Sequence, residues 1–243
     1  MDWYTISKYF KFSADEIRSF IVTAVFLGFM FSFRDWGIDV FDAREGFFNW
    51  FNSVIVVAFV LFFYLAAQRL MAIRKGYKVE YKMWFYGMII ALLVTFVTRG
   101  YIILGFVGTT IIYHLEGHRL GKFRYGLNYK DLGVISLMGP LAALLLAMFF
   151  KVISQFFTAS PLVSKMVLVC LLVACVSMIP LPWIDGGNVF FASRLLWVFT
   201  FVSILIASVL LYFYSSILGI IIAAVFIGII CAVIWQVFVE EGF

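Results

Sequence analysis

Hydrophobic positions along this chain fall into long blocks separated by short polar stretches. Met1 to Ile17 mixes apolar residues with Lys8, Lys11, Asp15 and Glu16. That pattern predicts an interfacial lead-in over residues 1–19, a short amphipathic helix lying on a membrane surface. Phe20 to Phe33 predicts a short first span, and Arg34 to Glu45 an acidic loop with Asp35, Asp39, Asp42 and Glu45. Trp50 to Ile73 predicts a second span, polar only at its far end with Gln68 and Arg69, and the basic turn Arg74-Lys75-Gly76 ends it. Lys78 to Trp84 then alternates polar and apolar residues, the period of a half-buried strand.

Phe85 to Val97 and Tyr101 to Tyr113 are apolar, but Thr98-Arg99-Gly100 interrupts them. Neither piece reaches the ~20 residues of an ordinary span. Met83 to Tyr113 therefore predicts a re-entrant or membrane-embedded hairpin, the 78–113 region once the strand is included. Irregular backbone at that depth has to be buried in protein or line a cavity. His114 to Asp131 is a polar, basic loop. Leu132 to Phe157 predicts a third span, with Gly139-Pro140 near its start, and Leu162 to Ile179 a fourth. Leu195 to Tyr214 and Ile217 to Val239 predict two more, joined tightly at Ser215-Ser216. Without internal repeats or low-complexity linkers, residues 1–243 predict one all-α membrane domain. It has about six transmembrane helices plus the hairpin and its short β segment.

Composition agrees with that class. The chain has 243 residues, 65% hydrophobic and only 13% charged, whereas soluble domains are about half apolar and a quarter charged. Long continuous apolar runs point to helices rather than to the alternating strands of a barrel. The polar, mixed-charge start shows no cleavable signal peptide pattern. Cys170, Cys175 and Cys231 lie in apolar runs and form no CxxC pair, so they read as small core residues. Trp36, Trp50, Trp84 and Trp183 suit interfacial belts.

Charge sets the expected orientation. With a cytoplasmic N-terminus, six spans and the hairpin on the cytoplasmic side, most Lys and Arg residues fall inside. Only Arg34, Arg44, Lys151 and Lys165 fall outside, with Arg99 unassigned in the hairpin. Both termini are then expected in the cytoplasm. The lipid bilayer is the first expected partner, and no nucleic-acid partner is expected.

Candidate chemistry centres on Ile179-Pro180-Leu181-Pro182-Trp183-Ile184-Asp185-Gly186-Gly187. A carboxylate at membrane depth is costly and marks a functional site by default. Pro180 and Pro182 lack an N–H and break the helix, while Gly186 and Gly187 permit a turn or a close backbone approach.

Three stretches carry a family resemblance: Ala67 to Tyr77, Ser136 to Ala142 with Gly139-Pro140, and Ile179 to Gly187. In this order, with apolar spans between them, the region from about Phe62 to Phe199 resembles the site-2 protease family of intramembrane zinc metalloproteases. The resemblance implies a site-2-protease-like core over residues 50–199. It also implies two histidines one helical turn apart and a distant aspartate holding zinc, with a glutamate between the histidines as base. At the implied positions this chain has Tyr64, Leu65 and Gln68. Leu65 cannot move a proton, and Gln68 is a poor zinc ligand. The family asparagine after Gly-Pro corresponds to Ala143, and another before the first proline to Ser177. Asp185 alone is retained among the residues that do chemistry, as a structural acid held by nearby donors.

The chain's only histidines, in His114-Leu115-Glu116-Gly117-His118, offer an alternative zinc site with Asp185 and Glu116 as base. On a helix, i and i+4 would share a face, but the surroundings are a glycine-containing basic loop. Gln68 reads better as an interhelical hydrogen-bond partner than as a ligand. Arg99 either pairs with Asp185, binds a substrate carboxylate or snorkels.

These residues support three functions. The leading one is a non-catalytic site-2-protease-like protein without a cofactor, binding a transmembrane segment of another protein or another membrane partner. The second is an active zinc protease with relocated ligands. The third, a small transporter component, rests on the broken hairpin beside a membrane carboxylate.

Overall fold

The computed structural model describes residues 9–36, 42–105, 108–115, 127–156, 160–182, 184–214 and 217–236. These residues form eight helices and one two-stranded sheet. In chain order they are α1 (Ala14–Ser32), α2 (Ala43–Lys75), β1 (Tyr77–Lys82), α3 (Phe85–Val97), β2 (Thr109–His114), α4 (Tyr129–Phe156), α5 (Pro161–Ser177), α6 (Asp185–Ala192), α7 (Arg194–Phe213) and α8 (Ile217–Trp235). Three of them, α2, α4 and α7, are long and apolar enough to cross a membrane. The apolar helices α3 and α5, and residues 219–233 of α8, are shorter. The membrane class follows from length and composition.

The first eight residues of the expected lead-in lie outside the described residues, and its second part enters the first long helix. Ser13 caps α1 through a reciprocal pair with Glu16, so the helix starts at Ala14 and runs unbroken to Ser32. Glu16 is not on a surface: it is 4% exposed and ion-paired to Arg69 of α2, itself 3% exposed. The pair is fully dressed. Arg69 also donates to the carbonyls of Lys11 at 2.5 Å and Val79 at 3.2 Å, and lies over the Phe12 ring. Glu16 accepts the backbone N–H groups of Ser13 at 2.7 Å and Tyr81 at 3.0 Å. Charges buried without such partners would be strongly destabilising.

The strand expected over 78–84 is present as β1. Tyr77, Val79 and Tyr81 are buried while Lys78 and Lys82 are exposed, as the alternation requires. Its partner corrects the reading of 101–113 as one apolar piece. Residues 101–105 are irregular, and Thr109–His114 is β2, antiparallel to β1 from Tyr77↔His114 to Lys82↔Thr109. A strand near hydrocarbon needs its backbone groups paired, and β-branched Thr109-Thr110-Ile111-Ile112 suits a pleated partner.

Between the strands, α3 runs out to the far end of α1. There Phe96 packs edge-on against Phe33 at 5.0 Å and lies against Phe29 at 6.2 Å. The chain turns at Thr98–Gly100, Arg99 taking φ 52°, and returns to β2. The 83–113 segment thus leaves the sheet and comes back to it.

Two elements near Asp185 also differ from expectation. Gly139-Pro140 lies well inside α4, which begins at Tyr129. The residues after Asp185 open the helix α6 rather than a turn. The elements gather around one main core in which Leu27, Val57, Val60, Leu61, Ala147, Val169, Val173 and Ala174 are almost fully buried. Helices α5 and α7 meet it through Cys170 and Ile204. The tight link at Ser215-Ser216 and residue Trp183 lie outside the described residues.

Candidate functional site

Asp185 stands at the first residue of α6 and is 3% exposed. Three side chains from two other elements donate to its carboxylate. Tyr64 Oη reaches Oδ2 at 2.5 Å, and Gln68 Nε2 reaches the same oxygen at 2.8 Å. Thr110 Oγ1, from β2, reaches Oδ1 at 2.7 Å. Tyr64 and Gln68 are four residues apart on α2, so both present the same helix face. Hydrogen bonds to an ionised acceptor are short and roughly twice as strong as neutral ones.

A proline one helix away completes the arrangement. Pro140 sits inside α4 and has no N–H for the carbonyl of Ser136, four residues earlier. Gln68 Nε2 supplies that missing donor at 3.2 Å, so one amide nitrogen serves both the Ser136 carbonyl and Asp185. The neighbouring Gly139 lets α2 approach. A β-carbon there would stand 2.5 Å from Cε1 of Tyr64 and 2.8 Å from Gln68 Nε2. Gly139→Ala is therefore expected to cost about 1–3 kcal/mol by overpacking, seen as a lower thermal midpoint in detergent. A midpoint equal to wild type would show that the two helices tolerate separation.

The same close packing fixes α6. Helix α5 ends at Ser177, and Pro180 and Pro182 keep the following segment out of a helix. Trp197 of α7 donates to the Met178 carbonyl at 2.9 Å, and Asn188 of α6 donates to Ser136 Oγ at 2.9 Å. Gly186 and Gly187 make the predicted close approach: a side chain on either would collide with backbone of Met178 or Leu181.

The expected site residues separate into two groups. Tyr64, Gln68, Gly139, Pro140, Gly186 and Gly187 all cluster around Asp185. Leu65 is buried, 3% exposed, and belongs to the core. His114 does not join them. It is the last residue of a strand rather than part of a helix, and its ring lies 5.2 Å from that of Tyr77. It stands four residue steps along the strand from Thr110, about 13 Å at the rise of a β-strand. Glu116 and His118 lie outside the described residues. Arg99 sits in the hairpin turn beside the far end of α1. Among the described residues no group of three His, Cys, Asp or Glu side chains could hold a metal ion.

Thr110 is absent from the sequence expectations, and Ser136 enters them only as the start of the Gly139-Pro140 stretch, with no role of its own. Thr110 is a hydroxyl on an apolar strand, a faint signal. Ser136 is legible in principle, because a proline inside a helix always frees the carbonyl four residues before it.

No protein-family model, curated protein or solved structure matches this chain.

Proposed function

We propose that this chain is a non-catalytic, site-2-protease-like multi-pass membrane protein that binds a transmembrane segment of another protein without cutting it. The observation that carries the reading is that Tyr64 and Gln68, at the positions where the resemblance puts two zinc ligands, both turn toward Asp185 and donate to it. Tyr64 and Gln68, on one helical turn, meet Asp185 across more than a hundred residues of chain, which supports the reading but with changed chemistry. Zinc needs lone pairs from at least three groups. Here Tyr64, Gln68 and Thr110 spend an O–H or N–H on the carboxylate. The unpaired buried acceptor Gln68 Oε1 adds a single weak lone-pair donor, too few for zinc. Leu65, at the position of the base, cannot take a proton.

In this reading the chain has about six spans and both termini in the cytoplasm. Its expected partners are the bilayer and the bound segment, with no cofactor. The relocated-ligand protease needs a histidine beside Asp185, and β2 carries His114 about 13 Å along the strand from Thr110. The transporter reading has no observation of its own to favour it.

Metal content tests the proposal directly. Purified wild type is expected to carry no stoichiometric zinc, and one tightly held zinc per chain would overturn the reading. The variant Tyr64→His/Leu65→Glu/Gln68→His, checked for folding by gel filtration, should gain about one zinc per chain, lost again with Asp185→Ala. A folded triple variant that takes up no zinc would remove Tyr64 and Gln68 from the ligand positions.

A further inference from the structure

At the end of the molecule away from the sheet, α1, α4, α5 and α7 surround a cavity of about 1010 Å³, closed on one side by the hairpin turn. It shares no lining residue with the Asp185 cluster, so a ligand there is independent of the function proposed for that cluster. Three cations line it: Arg34, Lys151 and Lys165. Its one lining carboxylate is Asp35, already held by Lys165 at 2.6 Å, while the same ammonium reaches Ser53 Oγ at 2.7 Å. Arg34 lies over the Tyr101 ring at 4.3 Å, and Lys151 reaches the Tyr212 carbonyl at a long 3.5 Å. Two positive charges therefore face the cavity without a carboxylate among the described residues. Deeper in, the wall is apolar at Ile103 of the returning hairpin and at Leu168 and Leu172, two and three turns into α5.

The sequence gives these cations added weight. Among the described residues basic side chains crowd toward the sheet end of the molecule, and Arg34, Arg44, Arg99, Lys151 and Lys165 are the exceptions. Three of these five line one cavity. Stray surface charge has no reason to converge from three separate segments of the chain. A cationic rim above an apolar wall is complementary to an anionic amphiphile, the same pairing by which basic pockets on the cytoplasmic side of membrane proteins hold lipid headgroups.

We propose that this cavity is a binding site for an anionic phospholipid. The phosphate sits between Arg34 and Lys151, and an acyl chain follows the apolar wall formed by α5 and the returning hairpin. A free phosphate would leave that wall unused, and an uncharged transmembrane segment would leave both cations unanswered.

The test uses the full chain in non-ionic detergent, with phosphatidylglycerol or phosphatidylcholine added in mixed micelles. Bound lipid is counted by native mass spectrometry and the thermal midpoint is followed in parallel. Phosphatidylglycerol should bind and raise the midpoint, and phosphatidylcholine should do neither. Arg34→Gln and Lys151→Gln should each weaken phosphatidylglycerol binding about five-fold, while Arg44→Gln, at the same end but outside the cavity, should leave it unchanged. Weaker binding to wild type at raised ionic strength provides a reading that needs no variant. Equal binding of the two lipids, or undiminished binding in folded Arg34→Gln/Lys151→Gln, would overturn the proposal. So would glycerol 3-phosphate competing as well as the lipid, which would reduce the site to a headgroup anion site. Displacement of the lipid by a model transmembrane peptide would give the cavity to a protein segment instead.

Discussion

Replacing Asp185 by alanine is expected to destabilise the protein by about 3–5 kcal/mol, because it strands three buried donors at once. Tyr64, Gln68 and Thr110 all end on its carboxylate, and each buried group left without a partner costs about 1–3 kcal/mol. The sum falls short of the maximum because Gln68 keeps the Ser136 carbonyl and water can enter the space left by the carboxylate. Asp185→Asn should be intermediate, since it keeps one acceptor oxygen but brings an NH₂ group against groups that are themselves donors. Tyr64→Phe, which removes a single hydroxyl, should cost about 1 kcal/mol. Thermal or denaturant unfolding in one detergent should therefore rank Asp185→Ala below Asp185→Asn, and that below Tyr64→Phe. An Asp185→Ala protein more stable than wild type would reveal a carboxylate kept at a cost for function, against a structural role.

The second large effect concerns Glu16 and Arg69. Arg69→Met leaves a buried carboxylate with no counter-charge, and breaking such a pair costs about 3–5 kcal/mol. Glu16→Met should be comparably damaging, because it also removes the acceptor used by the backbone N–H groups of Ser13 and Tyr81. The double variant restores charge balance but not those two acceptors, so it should recover only part of the loss. A double-mutant cycle measures the difference, and contacting pairs of this kind give coupling of about 0.5–3 kcal/mol. Strictly additive single effects would mean that Arg69 is held by the carbonyls of Lys11 and Val79 rather than by Glu16. The pair joins the start of α1, the last turns of α2 and the strand β1, so its loss should loosen the sheet that carries Thr110.

The Asp185 cluster and the lipid cavity lie at opposite ends of the same helices. The sheet end gathers the hydrogen-bonded acid, the buried ion pair and the Lys75–Asp131 bridge at 2.5 Å. The other end gathers the cations of the cavity. Helix α2 links them physically: Ser53 near one end meets Lys165, and Tyr64 and Gln68 three to four turns later meet Asp185.

Hydropathy alone determined a good deal. Long apolar runs place α2, α4 and α7, because a helix satisfies every backbone group within its own segment and hydrocarbon offers no other partner. Period-two alternation located β1, and proline with glycine located the break before α6. Singling out Asp185 needed only the cost of a carboxylate among apolar residues. The chain also showed that Tyr64, Leu65 and Gln68 stand where the resemblance asks for a different chemistry.

What answers that carboxylate was decided by tertiary structure. Thr110 meets Asp185 only because β2 pairs with β1 in one register, and a slip of one residue would turn Thr110 to the opposite face. Gln68 reaches the Ser136 carbonyl only because Pro140 lies inside α4 and Gly139 lets α2 come close. Glu16, polar in a polar-looking lead-in, is buried because Arg69 arrives from 53 residues away. Hydropathy is summed along the chain, so it reports how costly a polar group would be to bury. Whether that cost is met depends on donors and acceptors brought from distant segments to within about 3 Å, and only the packed helices and the register of the sheet bring them there.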